Sequence, residues 1–335
     1  MKKFFFTMVS SFLLLGMAAC SSEEASWAKQ TSNIKIRLLS IGGSYSQDAL
    51  AYVPFIIQNM GIDVDIQIGI LMQSSSTLAT HVDNFACESA VYTLYLYDGG
   101  SSWQNHGRKS IQWALDNYQW DYVILQQVSG SSFKWSTYQP YLNQLINAIN
   151  EYTDHQVKFG WYSTQSRPAS SNSGANWDDA TIISHYESIV ENSRRVMNET
   201  VCEFIVPVST AIQNARSIDV IKALGDYANN PLNTSKCGYL TCKDGVHLQE
   251  GLPCQIAAYT FVQVLLDMYG FNSYSIIGET TRVTSEWASE KSIPGPHGDY
   301  IGSTDENCRI AQECAIMAIK NPYEVTDMNT IINPQ

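Results

Sequence analysis

Ile34 to Ile41, IKIRLLSI, runs directly into Gly42-Gly43-Ser44-Tyr45-Ser46. A short apolar run closed by two glycines reads as a β-strand entering a turn. From Asp48 to Met60 apolar residues recur at helical spacing and stop at Gly61, and Ile62 to Leu71 then alternates Ile/Val with Asp/Gln as a second strand. Further on, Ile111 to Tyr118 and Tyr138 to Tyr152 read as helices, the latter with Leu142, Leu145, Ile146 and Ile149 at core spacing. Ser184 to Met197 and Leu252 to Met268 read as two more. Tyr122 to Leu125, Val157 to Tyr162 and Phe204 to Val208 read as strands. Strands alternating with helices predict an α/β fold, a three-layer α/β/α sandwich around a central parallel sheet. Ligands of such sheets bind beyond the carboxyl ends of the strands, so chemistry is sought in the residues just after them.

Upstream, residues 1–19 read as a secretory leader, with Lys2 and Lys3 before the mostly apolar stretch Phe4 to Met17. Ala18-Ala19-Cys20 is similar to a bacterial lipobox, with Met17 where Leu is commoner. Lipidation of Cys20 would tether the chain to the outer membrane, on its periplasmic face or at the cell surface, without a spanning helix. An ordinary leader with an incidental Cys20 is the competing reading. Ser21-Ser22-Glu23-Glu24 resembles the display signal of some Bacteroidetes lipoproteins, and equally suits a solvated tether over 20–33. No later stretch reaches the roughly twenty apolar residues a bilayer requires. The main domain is expected over 34–270. An extension over 271–335 follows, whose Ala311 to Ile319 stretch would pack on it as a helix.

The formal net charge is −12, and more negative once Lys2 and Lys3 leave with the leader. Nucleic-acid binding rests on Lys and Arg neutralising phosphates, so that class is excluded as a partner. Neutral substrates such as sugars and their esters suit the balance better. There are eight cysteines; with Cys20 as anchor an odd number remains, so at least one thiol stays unbridged. Cys237 with Cys242, and Cys308 with Cys314, are near enough in sequence for short disulfide loops. Cys237, Cys242, His247 and Cys254 match no regular zinc spacing, and no metal is expected.

Two places after predicted elements carry suggestive residues. Ser44 follows the first strand and two glycines, where the backbone turns sharply; Ser44 or Ser46 could instead cap a helix, with Asp48 helping. Asp244-Gly245-Val246-His247 lies just before the closing helix. Imidazole titrates near neutrality and can take a hydroxyl proton. A carboxylate on its other nitrogen fixes the tautomer and stabilises the imidazolium. Alone, each place is ambiguous, since Asp-Gly is a common turn and single histidines are usually structural.

Together, GGSYS after the first strand and DGVH before the last helix resemble the SGNH, or GDSL-like, hydrolase superfamily over about Ile34 to Tyr269. The resemblance implies a flavodoxin-like sandwich with Ser44 as nucleophile, His247 as general base and then acid, and Asp244 as its orienter. Such proteins complete an oxyanion hole with a glycine after the second strand and an asparagine after the third. Here Met72-Gln73-Ser74-Ser75-Ser76-Thr77 and Gln126-Gln127-Val128-Ser129 stand there instead. A backbone N–H at Ser74 or Ser75 and the Gln126 amide would then have to donate. The wording IGGSYSQDAL, LATH, WDYVILQQVSGSS, TYQPYL and DGVHL is similar to a mostly Bacteroidetes branch of this superfamily, lipid-anchored here through Cys20. In that branch the first block usually reads Gly-Asn-Ser-Phe-Ser and glutamines replace the asparagine. Gly43 for Asn and the missing glycine pair before Thr77 remain particular to this chain.

The expectation is an exported serine esterase, with the backbone N–H of Ser44, one donor near Ser75 and the Gln126 side-chain amide as oxyanion donors, deacetylating a carbohydrate ester without a cofactor. The alternative is a catalytically inactive glycan-binding lipoprotein, favoured by the altered oxyanion blocks. His81 could touch substrate, against a capping or core role, and Trp103, His106, Trp135 and Trp161 could line a sugar cleft, against simple packing. Ser209, after the late strand, is assigned no chemistry.

Overall fold

The computed structural model describes residues 34–61, 63–167, 182–223, 240–241, 246–270, 283, 293 and 304–332. Cys20, the leader and tether, Cys237, Cys242 and Asp244 lie outside the described residues. In chain order the elements are β1 (Ile34–Gly42), α1 (Ser44–Leu50), α2 (Val53–Asn59), β2 (Val64–Met72), α3 (Leu78–Ala86), β3 (Tyr92–Asp98) and β4 (Gln104–Lys109). There follow α4 (Ile111–Asn117), β5 (Tyr122–Leu125), α5 (Tyr141–Tyr152), β6 (Lys158–Tyr162), α6 (Ile182–Glu199), β7 (Phe204–Val206), α7 (Val208–Arg216) and α8 (Asp219–Ala223). The last are α9 (Leu252–Asp267), α10 (Asp305–Lys320) and α11 (Asn329–Ile332).

The strands form one seven-stranded sheet in the order β4-β3-β2-β1-β5-β6-β7. Five of them run parallel, β2-β1-β5-β6-β7. The β2–β3 and β3–β4 pairings are antiparallel, so the α/β sandwich has a mixed sheet with a hairpin on one edge. β4 reads QNHGRK and is exposed along nearly its whole length, so it carries none of the apolar alternation that marks a strand in sequence.

Alternation along β1 divides the core between two faces. Ile36 and Leu38 pack with Ile68, Ile124 and the residues of α1, α2, α7, α9 and α10. Leu39 and Ile41 pack with Leu71, Val123, Leu125 and the residues of α4 and α5. The single helix expected from Asp48 to Met60 is two, broken at Ala51-Tyr52. Pro54 near the start of α2 lacks the N–H that would continue α1 and crowds the carbonyl four residues back. Pro140 at the N-cap likewise moves the start of α5 to Tyr141.

Helix α9 is buried from Leu252 to Leu266 on every side, which a helix on the outside of a sandwich cannot be. Helix α10 covers it: Cys308 Sγ meets Tyr259 Oη at 2.9 Å. Asn214 Nδ2 of α7 donates to the Cys314 carbonyl at 3.3 Å. Cys314 keeps a free thiol, so the short Cys308–Cys314 loop does not form; both residues lie on one helix. Among the described residues no helix is long and apolar enough to cross a membrane.

Close packing makes two sheet glycines obligatory. A Cβ on Gly69 would lie 2.7 Å from the buried Trp120 ring, and one on Gly160 would run into the ring of Phe204. Gly160→Ala is therefore expected to cost about 1–3 kcal/mol. In combination with Phe204→Ala the loss should be smaller than the sum of the two single losses. Calorimetric midpoints of the four proteins test this, and strict additivity would contradict the clash.

Candidate functional site

The site follows from the order of the strands. β1 lies between β2 and β5, with Gly42 level with Met72 on one side and Ile41 level with Leu125 on the other. Three strand ends thus stop side by side, and Gly43-Ser44, Gln73-Ser74-Ser75 and Gln126 leave from neighbouring points. Such a switch point, where successive connections diverge, opens a crevice in an α/β sheet. A cavity of about 360 Å³ lies there, lined by these segments and by Tyr45, Gln47, Val128, Ser129, Val246 and His247.

Ser44 is the first residue of α1, after Gly43 at the N-cap. Gly42 permits a close approach: a Cβ there would sit 2.5 Å from Gln126 Nε2. Ser46, the other candidate, is fully buried and its hydroxyl takes a bond from Ser40 Oγ at 2.9 Å, so it is structural. Ser44 lines the cavity, and its Oγ is 2.6 Å from His247 Nε2. That is within reach for direct proton transfer. The Tyr45 ring meets the imidazole edge-on at 6.0 Å.

The segment carrying His247 is fastened on both sides. Gln165 Nε2 reaches the Val246 carbonyl at 3.5 Å, and the Leu248 N–H donates to Asp48 Oδ2 at 3.1 Å. Gln249 N–H donates to the Leu240 carbonyl at 3.1 Å. Gly251, at φ +86°, turns the chain into α9, a conformation that suits glycine alone without strain. The alternative in which Asp48 helps to cap the first helix does not hold: its carboxylate, wholly buried one turn after Ser44, accepts from the histidine segment. Asp244 lies outside the described residues.

Two further segments line the cavity, Ser74-Ser75 and Gln126. Ser75 takes φ +59°, the left-handed conformation that favours glycine. Gln73 N–H donates to the Gly42 carbonyl at 2.9 Å and fixes this segment to the end of β1. Gln126 is 3% exposed, with Nε2 packed against Gly42 and Gly43 and with Oε1 buried without a partner. Gln127 does something else. It accepts from Val128 N–H at 2.9 Å and Leu78 N–H at 3.3 Å and donates to the Thr137 carbonyl at 2.9 Å, tying its loop to α3.

The proposed aromatic cleft does not form from the four residues considered for it. Trp103 is buried and donates to the Ala51 carbonyl, and Trp161 is buried on β6 and donates to Ser193 Oγ. Trp135 stacks on Tyr138 under Arg195, and His106 is on the exposed edge strand. None lines the cavity; Tyr45 is its aromatic wall. Ser209 is buried against Ser163 Oγ at 2.6 Å. His81 is buried too, with Nδ1 2.8 Å from Tyr92 Oη. Asn84 Nδ2 joins that hydroxyl at 3.2 Å to Gln73 Oε1 at 2.6 Å, so His81 is linked through Tyr92 and Asn84 to the segment that carries Ser75. Behind Ser129, Arg167 Nε donates to Ser129 Oγ at 3.0 Å, and His185 Nε2 meets Ser132 Oγ at 3.0 Å. This buried polar layer had no motif to announce it.

Residues 37–276 match the DUF4886 family, described as a domain of unknown function. A crystal structure of a DUF4886 family protein from Bacteroides uniformis superposes with a TM-score of 0.69 at 24% identity, covering 88% of this chain and 98% of that one. A protein from Slackia heliotrinireducens, proposed as an SGNH hydrolase, overlaps loosely at a TM-score of 0.39 and 15% identity, over 69% of this chain and 98% of that one. A gut microbial diltiazem-metabolizing enzyme overlaps at 0.40 and 11% identity, over 74% of this chain and 48% of its own. No curated protein matches the sequence.

Burial holds His81 neutral by lowering its pKa to about 4, and burial together with nearby Arg167 lowers that of His185 to about 3. The unfolded chain binds both protons first, so the stability these residues contribute is complete above pH 6.5 and is lost as pH falls, down to about 4 for His81 and about 3 for His185. For His81 the loss amounts to roughly 3 kcal/mol. Thermal midpoints between pH 7.5 and 4 should fall more gently for His81→Gln than for the parent. Equal slopes would show that His81 is not held neutral.

Proposed function

We propose that this chain, which belongs to the DUF4886 family, is an exported serine esterase that removes O-acetyl groups from a carbohydrate. The observation that carries the reading is the 2.6 Å contact between Ser44 Oγ and His247 Nε2 in an open cavity at the switch point of the sheet. Ser44 attacks the acyl carbon while His247 takes the hydroxyl proton. The tetrahedral oxyanion is held by the backbone N–H of Ser44, a backbone N–H at Ser75 and the Gln126 amide. His247 then protonates the departing sugar oxygen, and a water deprotonated by His247 releases acetate from Ser44. Asp244, three residues before His247, is assigned the orienting role.

The lining supports a neutral substrate. Among the described residues it holds no Asp, Glu, Lys or Arg, and it offers the hydroxyls of Ser74, Ser75 and Ser129. Sugar esters present uncharged hydroxyl-rich groups of that kind. Export rests on the leader and anchoring on Cys20. The binding-only alternative calls for a Ser44 used as a cap and a histidine turned elsewhere; no side chain caps α1, and His247 faces Ser44.

Hydrolysis of p-nitrophenyl acetate and of acetylated xylan by the soluble mature protein tests the reading, beside Ser44→Ala and His247→Ala. Both substitutions should reduce turnover to background. Absence of turnover by the folded parent on both esters would overturn the proposal. Gln126→Leu should lower kcat about 100- to 1000-fold with KM little changed, as loss of one oxyanion donor does. A wild-type kcat in that variant would remove Gln126 from the oxyanion site.

A further inference from the structure

The geometry points to Asp48 as a positioning residue that aligns His247 with Ser44 through the Leu248 N–H, an inference that rests on the esterase reading. Asp48 is fully buried, one helical turn after Ser44 on α1. Its Oδ2 accepts the N–H of Leu248, the residue after His247, at 3.1 Å. Two hundred residues of chain separate the partners. One side chain thus couples the helix that carries the nucleophile to the segment that carries the base.

A carboxylate costs free energy to bury and is kept inside a protein only where it is bonded or used. A buried backbone N–H left without an acceptor also costs free energy, so the Leu248 N–H and the Asp48 carboxyl oxygen hold each other in place. Among the described residues the segment is also held by Gln165 Nε2, which reaches the Val246 carbonyl at 3.5 Å, and by the Thr241–Leu248 bridge. Without the Asp48 bond, His247 keeps its place in the chain but loses the fixed distance to Ser44. A displacement of about 1 Å at a proton-transfer contact can cost roughly 100-fold in rate. The cavity is lined by neither Asp48 nor Leu248, so substrate binding should be spared.

Steady-state kinetics on p-nitrophenyl acetate for Asp48→Ala and Asp48→Asn decide the matter, with circular dichroism to establish folding. Should Asp48→Ala fail to fold, Asp48→Val fills the space without supplying an acceptor and takes its place. The acceptor-free variant is expected to lose about 10- to 100-fold in kcat with KM within about 3-fold of the parent. Asp48→Asn, which retains an amide oxygen for the Leu248 N–H, should recover most of that loss. A folded acceptor-free variant with the parent's kcat, a loss confined to KM, or an Asn variant as impaired as Ala would overturn the positioning role while leaving the esterase intact. A parent without turnover would overturn both.

Discussion

The placement of β1 between two parallel neighbours is the constraint on which the rest of this molecule depends. Its hydrogen bonds run to β2 on one side and β5 on the other, so three strands end level with one another. The chain leaves those ends in different directions, and the space between the departing segments becomes the cavity. Gly42 belongs to this constraint as firmly as any apolar residue. Its missing Cβ lets Gln126 lie directly against the end of β1, and any side chain there would push the amide away.

The other half of the site depends on burial far from it. His247 is brought to Ser44 by a segment that leads into α9, and α9 holds its position because it is buried on every side. Such a helix is stable only when something covers its outer face. The C-terminal helix α10 does so, with Tyr259 against Cys308 and Asn214 of α7 bonded to Cys314. The 2.6 Å distance between Ser44 and His247 therefore rests on packing from the last part of the chain, well beyond the two motifs themselves.

Elements whose apolar residues repeat were legible in the sequence; elements shaped by tertiary context were not. β1, β2, β5, β6 and α9 each bury a periodic or continuous apolar run, and their positions could be read to within a few residues. β4 is polar because it is an exposed edge, so nothing in QNHGRK distinguishes it from a loop. Ser44 and His247 were legible as a pair only because their types and order suggested one chemistry. Gln126 and Gln127 looked equivalent, and the fold separates them: one packs against the glycines of β1, the other is consumed by Leu78, Val128 and Thr137. The role of Asp48 was not legible, because its partner Leu248 is distant in sequence. Local pattern carries no information about a bond of that kind.

The left-handed turn at Ser75 has a physical explanation in the same network. A serine at φ +59° costs about 1 kcal/mol or more relative to glycine, and it persists only where its surroundings over-determine the backbone. Here Gln73 is bonded to Gly42 on one side and to Asn84 on the other, while Ser76 is buried immediately after. Asn84 is itself held by the Tyr92 hydroxyl, which rests on His81. The segment is thereby held at Gln73, and at its other end Leu78 N–H donates to Gln127 Oε1. A turn that glycine adopts by intrinsic freedom is maintained here by tertiary bonds, beside the cavity that Ser75 lines. The burden of that conformation falls on residues such as Gln73, Asn84 and His81, whose bonds join positions too far apart for a local sequence pattern to announce.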